Sequence, residues 1–314
     1  EKHLTEKVFV DKENAYNNNK SKDGVILIIG ASSRLGQSVT KKLLLAGRQL
    51  RLMTRYPQKI PFANSTSIQI VKGDLRDHAS LETACVGVEQ ILLAAHSFMG
   101  IGFNSPQKID QIGNISIIDI AKKCGVRHIV FTSIYGVCEN HPVDVFRIKF
   151  NFELYLKSSG IEYTILRPSA FMETWTILLN KTINKIRIAI IVGKGENPIN
   201  FVSVEDVSEI TTMALNKNSA NQIIEIGGPE NLTLNQVANL LELAKNQSVT
   251  RWHIPIKAIK LFAFLVSWIL PAFAKRIKSL AIYMDSYDQT YIFDRQNLTP
   301  RKNFKDVIQA TIYD

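Results

Sequence analysis

Residues Gly24–Gly47 read GVILIIGASSRLGQSVTKKLLLAG, and the fold depends on how this stretch is parsed. Val25–Ile29 is an unbroken apolar run rich in β-branched residues, the pattern of a strand buried on both faces. Gly30 follows, and Leu35, Val39 and Leu43 then recur at helical spacing until Gly47 ends the pattern. Strand, glycine turn and helix in that order outline a dinucleotide-binding turn. Its glycines allow a tight bend, let backbone approach a pyrophosphate, and bring helix close to strand. Gly30 and Gly36 stand where the first and third tasks are done; the middle position holds Ser33 in one spacing of the motif and Arg34 in another. A serine is accepted there if its φ is negative, with a hydroxyl able to donate to a phosphate. Arg34 adds charge at a helix N-terminus that already favours anions. A tight turn with nothing bound is the competing reading, and the flanking strand and helix argue for the cofactor.

The alternation continues outward from this unit. LRLMTR, SIQIVKGD and QILLAA read as the next strands, and DHASLETAC between the last two as a short helix capped by Asp77. A helix is expected over Asp110–Cys124, then the strand HIVFTS, a helix over VFRIKFNFELYLKSS and the strand EYTILRP. Repeated β-α-β units with short connections imply an α/β fold with a doubly wound parallel sheet, its ligand beyond the C-terminal strand ends. Past Pro168 the pattern loosens. NFVSVEDVSEITTMAL reads as a strand end feeding a helix, QIIEIGG as a strand, and Thr233 with Gln236 as a capping box. The expected division is a polar extension over 1–23, a dinucleotide-binding core over 24–168, and a small, mostly helical substrate-side region over 169–314. Within the last, 201–227 is expected to return to the core sheet.

Cofactor choice is read at the end of the second strand. A carboxylate there serves the ribose 2′-hydroxyl of NAD; an arginine serves the 2′-phosphate of NADP. Thr54 and Arg55 stand there and RLMTRYPQK holds no carboxylate, so NADP(H) is favoured over NAD(H). Arg34 and Arg55 are expected to clamp one phosphate from two sides.

Among the 314 residues, 46% hydrophobic and 21% charged content describes an ordinary globular chain, and the net charge of +10 favours anionic partners without choosing among them. The basic residues are scattered, with no zinc-finger spacing or aromatic-interleaved basic helix, so no nucleic-acid partner is expected. Cys85, Cys124 and Cys138 form no C-x-x-C pair and read as free thiols in a reducing compartment. The six histidines show no metal spacing, and no nucleophile elbow or P-loop is present. Residues 1–23 lack the apolar core of a signal peptide, and residue 1 is Glu, as expected of a processed product.

Ile259–Lys278, IKLFAFLVSWILPAFAKRIK, is treated separately. Its apolar part runs about 16 residues and Pro271 interrupts it, against the roughly 20 needed to span a bilayer, so no transmembrane span is expected. A helix covering the substrate pocket and a basic-flanked helix lying on a membrane or a partner both stay open.

Taken together, GASSRLG, VKGDLRD, HIVFTS, GIEYTILRPSAFMETW, NFVSVEDVSEI and IEIGGPENLTLNQVANLL resemble the atypical short-chain dehydrogenase/reductases of the NmrA-like group, from about Gly24 to Leu243. The resemblance implies a Rossmann core. Gly30, Ser33, Arg34, Leu35 and Gly36 would line the pyrophosphate, Arg55 the 2′-phosphate, and Asp74 and Leu75 the adenine. Ala94, Ala95 and His96 would run under the nicotinamide ribose. Related reductases use Tyr-x-x-x-Lys; here VFRIK supplies Lys149, but Val145 stands in the tyrosine position. Tyr135, Ser133 and His96 are the candidates to supply the proton, and Phe171, Met172, Glu173 and Trp175 the candidates to line the pocket. Two functions are implied: reduction of a small apolar carbonyl or quinone-like compound, or non-catalytic NADP(H) binding. In the second, the protein serves as a redox sensor or an accessory subunit of a larger complex such as respiratory complex I, contacted through residues 1–23 and 259–278. The cytoplasm or an organelle interior, mitochondrial matrix or plastid stroma, is the expected location.

Overall fold

The computed structural model describes residues 24–62, 65–98, 100–216, 220–291 and 302–312; the expectations for residues 1–23 lie outside these. Val25–Ile29 forms β1, whose Ile26 and Ile28 face one side of the sheet and Leu27 and Ile29 the other, all buried. Full burial of such a side chain is worth about 1.5–3 kcal/mol, so this run fixes the strand at the sheet centre. Around it stand β2 (Leu50–Thr54), β3 (Ile68–Lys72), β4 (Val88–Leu93), β5 (His128–Thr132), β6 (Glu162–Pro168) and β10 (Gln222–Ile226). The order is β10-β6-β5-β4-β1-β2-β3, every pair parallel. The chain runs outward from β1 through β2 to β3, then crosses back to β4 beside β1. A crevice opens at such a reversal, above the C-terminal strand ends.

Helices cover both faces. On one, α1 (Arg34–Leu45) and α6 (Val204–Asn216) pack on Ile26, Ile28, Leu52 and Val130. On the other lie α2 (His78–Cys85), α3 (Asn114–Lys123) and α4 (Asp144–Ser158), against Leu27, Phe131 and Ile165. The helix expected over Asp110–Cys124 begins instead with a π-type turn, Gln107–Gly113.

A third core holds the C-terminal region together, through Met172, Leu179 and Ile183 of α5 (Met172–Ile186), Leu234, Val237 and Leu241 of α7 (Leu234–Lys245), and Phe304 and Ile308 of α10 (Phe304–Ile312). The capping box of Thr233 with Gln236 opens α7. Short strands also run through this region: β7 (Ala170–Phe171), β9 (Ile199–Val202) and β11 (Glu230–Leu232) in one sheet, β8 (Ile188–Val192) and β12 (Thr250–Ile254) in another. The apolar stretch expected as a single helix is a hairpin: α8 (Ile256–Val266), a turn, and α9 (Pro271–Ser286), with Pro271 opening the second helix. Among the described residues no helix is long and apolar enough to cross a membrane.

Candidate functional site

The turn after β1 has the backbone that its sequence asks for. Gly30 has φ +95°, and a Cβ on it would lie 2.6 Å from the Ala95 nitrogen, so only glycine fits. A Cβ on Gly36 would lie 2.3 Å from the Gly30 carbonyl oxygen, which is how closely α1 rests on the turn. Ser33 has φ −73° and ψ 159°, ordinary extended backbone, so the absent central glycine costs nothing in torsion. Its Oγ accepts from the Gly36 N–H at 3.0 Å, making Ser33 the N-cap of α1. The Arg34 and Leu35 amides find no acceptor among the described residues, and with the helix dipole they form a cradle for an anion. The donor set and the close glycine backbone fit a dinucleotide pyrophosphate.

At the end of β2, exposed Arg55 donates to Asn104 Oδ1 at 3.2 Å. Arg76 reaches the same oxygen at 3.4 Å while pairing with Asp74. The Arg76 side chain, hydrogen-bonded to the Asp74 carboxylate, holds that carboxyl below its usual range. The guanidinium beside Arg55 is therefore Arg76, which the sequence reading passed over. Arg34 is exposed and among the described residues shares no contact with Arg55; its charge acts on Glu173. Burial pushes the Glu173 carboxyl up, and the carboxylate accepts from the Val204 N–H at 2.9 Å, at the start of α6. Met172 is fully buried in the third core, and half-buried Trp175 packs edge-on against Phe201.

Beyond β4, Ala94 is buried and His96 opens onto the crevice. The protein mass around the His96 imidazole lowers its pKa, the Lys149 charge lowers it further, and Asp110 opposes both. Lys149, on α4, is 3% exposed. Its Nζ donates to the Thr132 carbonyl at 3.1 Å, lies 3.4 Å from Asp110 Oδ1, and sits 4.9 Å from the centre of the Phe131 ring. Asp110 is fully buried, and its other oxygen accepts from the Ser97 N–H at 2.8 Å. Sequence reasoning missed Asp110; the signal was a carboxylate amid the apolar residues of KIDQIG.

The candidate proton donors differ in their ties. Val145 is buried, one helical turn before Lys149. Ser133 Oγ donates to Glu153 Oε1 at 2.5 Å, and Glu153 is gripped by Arg167 at 2.6 and 3.0 Å. That hydroxyl proton is committed to a buried carboxylate. Tyr135 stacks edge-on with Tyr291, and burial, then Glu225 and Asp288, push its phenol above the ordinary tyrosine range. Lys149, Asp110 and His96 are brought together; Tyr135 and Ser133 are held by other partners. A concavity lined by Gln90, His128, Gly160 and Glu162 lies at the N-terminal ends of β4–β6, the end away from this site. Among the described residues no cluster could hold a metal ion.

Known proteins share this fold. The model of the NmrA-like family matches residues 22–296. A chloroplastic protein of Arabidopsis thaliana named for a high-chlorophyll-fluorescence phenotype is 24% identical over 244 residues, 75% of this chain and 59% of its own length. The photosystem II assembly factor Ycf39 of Guillardia theta is 23% identical over 245 residues, 77% of each chain. The Escherichia coli NADPH-dependent quinone oxidoreductase QOR2, solved with NADPH, superposes with a TM-score of 0.72 at 22% identity, covering 92% of this chain and 100% of the other. With a family match across most of its length and the fold to go with it, the chain belongs to the NmrA-like family.

Proposed function

We propose that the protein binds NADP(H) across the C-terminal ends of β1, β2 and β4 and reduces a small apolar acceptor of quinone type by hydride transfer. One observation carries the reading: the unpaired Arg34 and Leu35 amides open at the same strand ends as the Arg55–Asn104–Arg76 cluster and buried Lys149. In this reading residues 24–168 with 201–227 form the dinucleotide unit, and the rest forms the substrate side. Gly30, Ser33, Gly36 and the first α1 amides hold the pyrophosphate, Arg55 and Arg76 the 2′-phosphate, and Asp74 and Leu75 the adenine. Ala94, Ala95 and His96 lie beneath the nicotinamide ribose. Bound NADPH supplies the hydride. Lys149 is oriented by Thr132 and Asp110 and keeps one ammonium proton for a ribose hydroxyl.

The acceptor follows from the proton supply. Val145 has no proton to give, Ser133 has committed its own, and the Tyr135 phenol is pushed up. A hydride added to a quinone leaves a phenolate-type oxygen, and phenols titrate near pH 10, so water protonates it. A simple ketone leaves a far more basic alkoxide that needs a poised acid. The NADPH-dependent quinone oxidoreductase among the structural neighbours supports this choice, and the chloroplastic relative supports an organelle interior as the compartment.

The test is calorimetric titration with NADPH and NADH, then turnover with a panel of quinones and aldehydes. NADPH binds more tightly than NADH by about tenfold or more, the worth of one charge-assisted contact. Arg55→Ala and Arg76→Ala each narrow that gap, and Lys149→Met abolishes quinone turnover. Absence of saturable NADPH binding up to about 1 mM overturns the reading. A second reading, non-catalytic NADP(H) binding within a larger assembly, is favoured by Val145 in the tyrosine position and by the assembly-factor relative. Tight NADPH binding without turnover of any quinone selects it.

A further inference from the structure

The α8–α9 hairpin leaves its far end uncovered. Leu261, Phe262, Phe264, Leu265, Trp268 and Ile269 are all exposed, Trp268 at 85% and Ile269 at 81%. At 150–250 Å² for a large aromatic side chain, these exposures amount to about 700 Å² of contiguous apolar surface, above the few hundred usual on a monomer. Only Ala263, Ala274 and Ala281 are buried apolar residues of these helices, small enough to let other groups approach closely.

The exposure does not come from a loose attachment. Arg276, 2% exposed, donates to Asp144 at 3.1 Å and to the Gly100 carbonyl at 2.9 Å, fixing α9 to the start of α4. Asn197 donates to the Met284 and Tyr287 carbonyls at 3.0 and 2.8 Å, and Asp285 accepts from the Lys194 N–H at 2.9 Å. The hairpin is held at its root and presents its tip.

Charge identifies what covers that tip. Residues 256–284 contain no Asp or Glu, while Lys257, Lys260, Lys275 and Lys278 are all exposed. At 1.5 Å rise per residue, Lys275 and Lys260 stand about 6 and 9 Å behind the tip, and Lys278 and Lys257 about 10 and 14 Å. An apolar element inserts about 5–10 Å into the headgroup–acyl boundary, so the lysines form a collar at headgroup depth. Trp268 sits in the turn, a side chain favoured at membrane interfaces. A second copy of the chain would set two lysine collars against each other without a counter-charge. Residues 1–23 are charge-balanced and hold too few apolar residues to cover the patch.

We infer that the α8–α9 tip is a monotopic anchor that inserts into an anionic lipid surface. The inference stands apart from the cofactor reading and holds whether or not NADPH binds.

The test is flotation of the full chain with vesicles of neutral phosphatidylcholine alone or with phosphatidylserine added. The protein floats with the anionic vesicles, less so at high salt, and Trp268 fluorescence shifts to the blue, a shift missing in Trp268→Phe. Trp268→Ser with Ile269→Ser removes flotation while the unfolding temperature stays unchanged, since both side chains are exposed. Each Lys→Gln in the collar weakens binding to anionic vesicles by about fivefold. No flotation by the wild type, or flotation untouched by the double serine variant, overturns the inference. So does wild-type self-association in sedimentation velocity that the double variant abolishes, because the patch then belongs to a second copy.

Discussion

Asp110→Asn isolates the buried charge pair at the centre of the site. Lys149 and Asp110 are 3% and 0% exposed, with Nζ and Oδ1 3.4 Å apart. The substitution keeps the shape and sets the ammonium beside a neutral amide in place of its counter-charge, with the Thr132 carbonyl and the Phe131 ring unchanged. Breaking a buried pair by neutralising one partner costs about 3–5 kcal/mol, because the remaining charge stays desolvated. At about 2 °C per kcal/mol for a chain of this size, Tm falls by roughly 6–10 °C. Lys149→Met alone strands the carboxylate in the same way. The double variant Asp110→Asn/Lys149→Met removes both charges, so its loss is smaller than the sum of the two by several kcal/mol. Urea unfolding of the four proteins forms the cycle. Losses below about 1 kcal/mol that simply add would refute the reasoning, since Lys149 would then be solvated and free of Asp110.

Acidification gives a second prediction. Burial lowers the pKa of His128 and His141 from 6.5. The unfolded chain therefore binds more protons, and Tm falls as the pH drops below about 6.5. His141→Phe, which keeps the stack on Phe146 at 3.9 Å, flattens that fall. Ser33→Ala removes the α1 cap and costs about 1 kcal/mol in urea unfolding, while Ser33→Gly costs a few tenths and retains NADPH binding. Gly30→Ala, with φ +95° and a clash at 2.6 Å, abolishes NADPH binding in calorimetry even where the protein folds.

The core sheet was legible because β1 is apolar throughout and β4 and β5 carry the apolar runs Ile91–Leu93 and Ile129–Phe131, which a doubly covered parallel sheet buries in full. Lys149 was singled out by the resemblance that sets VFRIK on the Tyr-x-x-x-Lys motif, and the structure buries it. Asp110 was not singled out. The π-type turn over Gln107–Gly113 departs from the 3.6-residue period, so periodicity gave no reason to aim that carboxylate inward. Arg76 was passed over because its partner Asn104 comes from a loop after β4, distant in sequence. The hairpin segment left two readings open, a pocket cover and a basic-flanked helix on a membrane or a partner. An all-apolar segment argues for burial, and what revealed the exposed tip was the break between Val266 and Pro271, whose geometry no local pattern specifies.

The Ser33 cap bears on how such turns are found. A hydroxyl that ties off the Gly36 amide at 3.0 Å while its own backbone stays extended does the structural work of a residue without a side chain. Search templates that demand glycine at all three places would pass over this chain. A template written in torsion angles and open amides would retrieve it, together with any relative that made the same exchange.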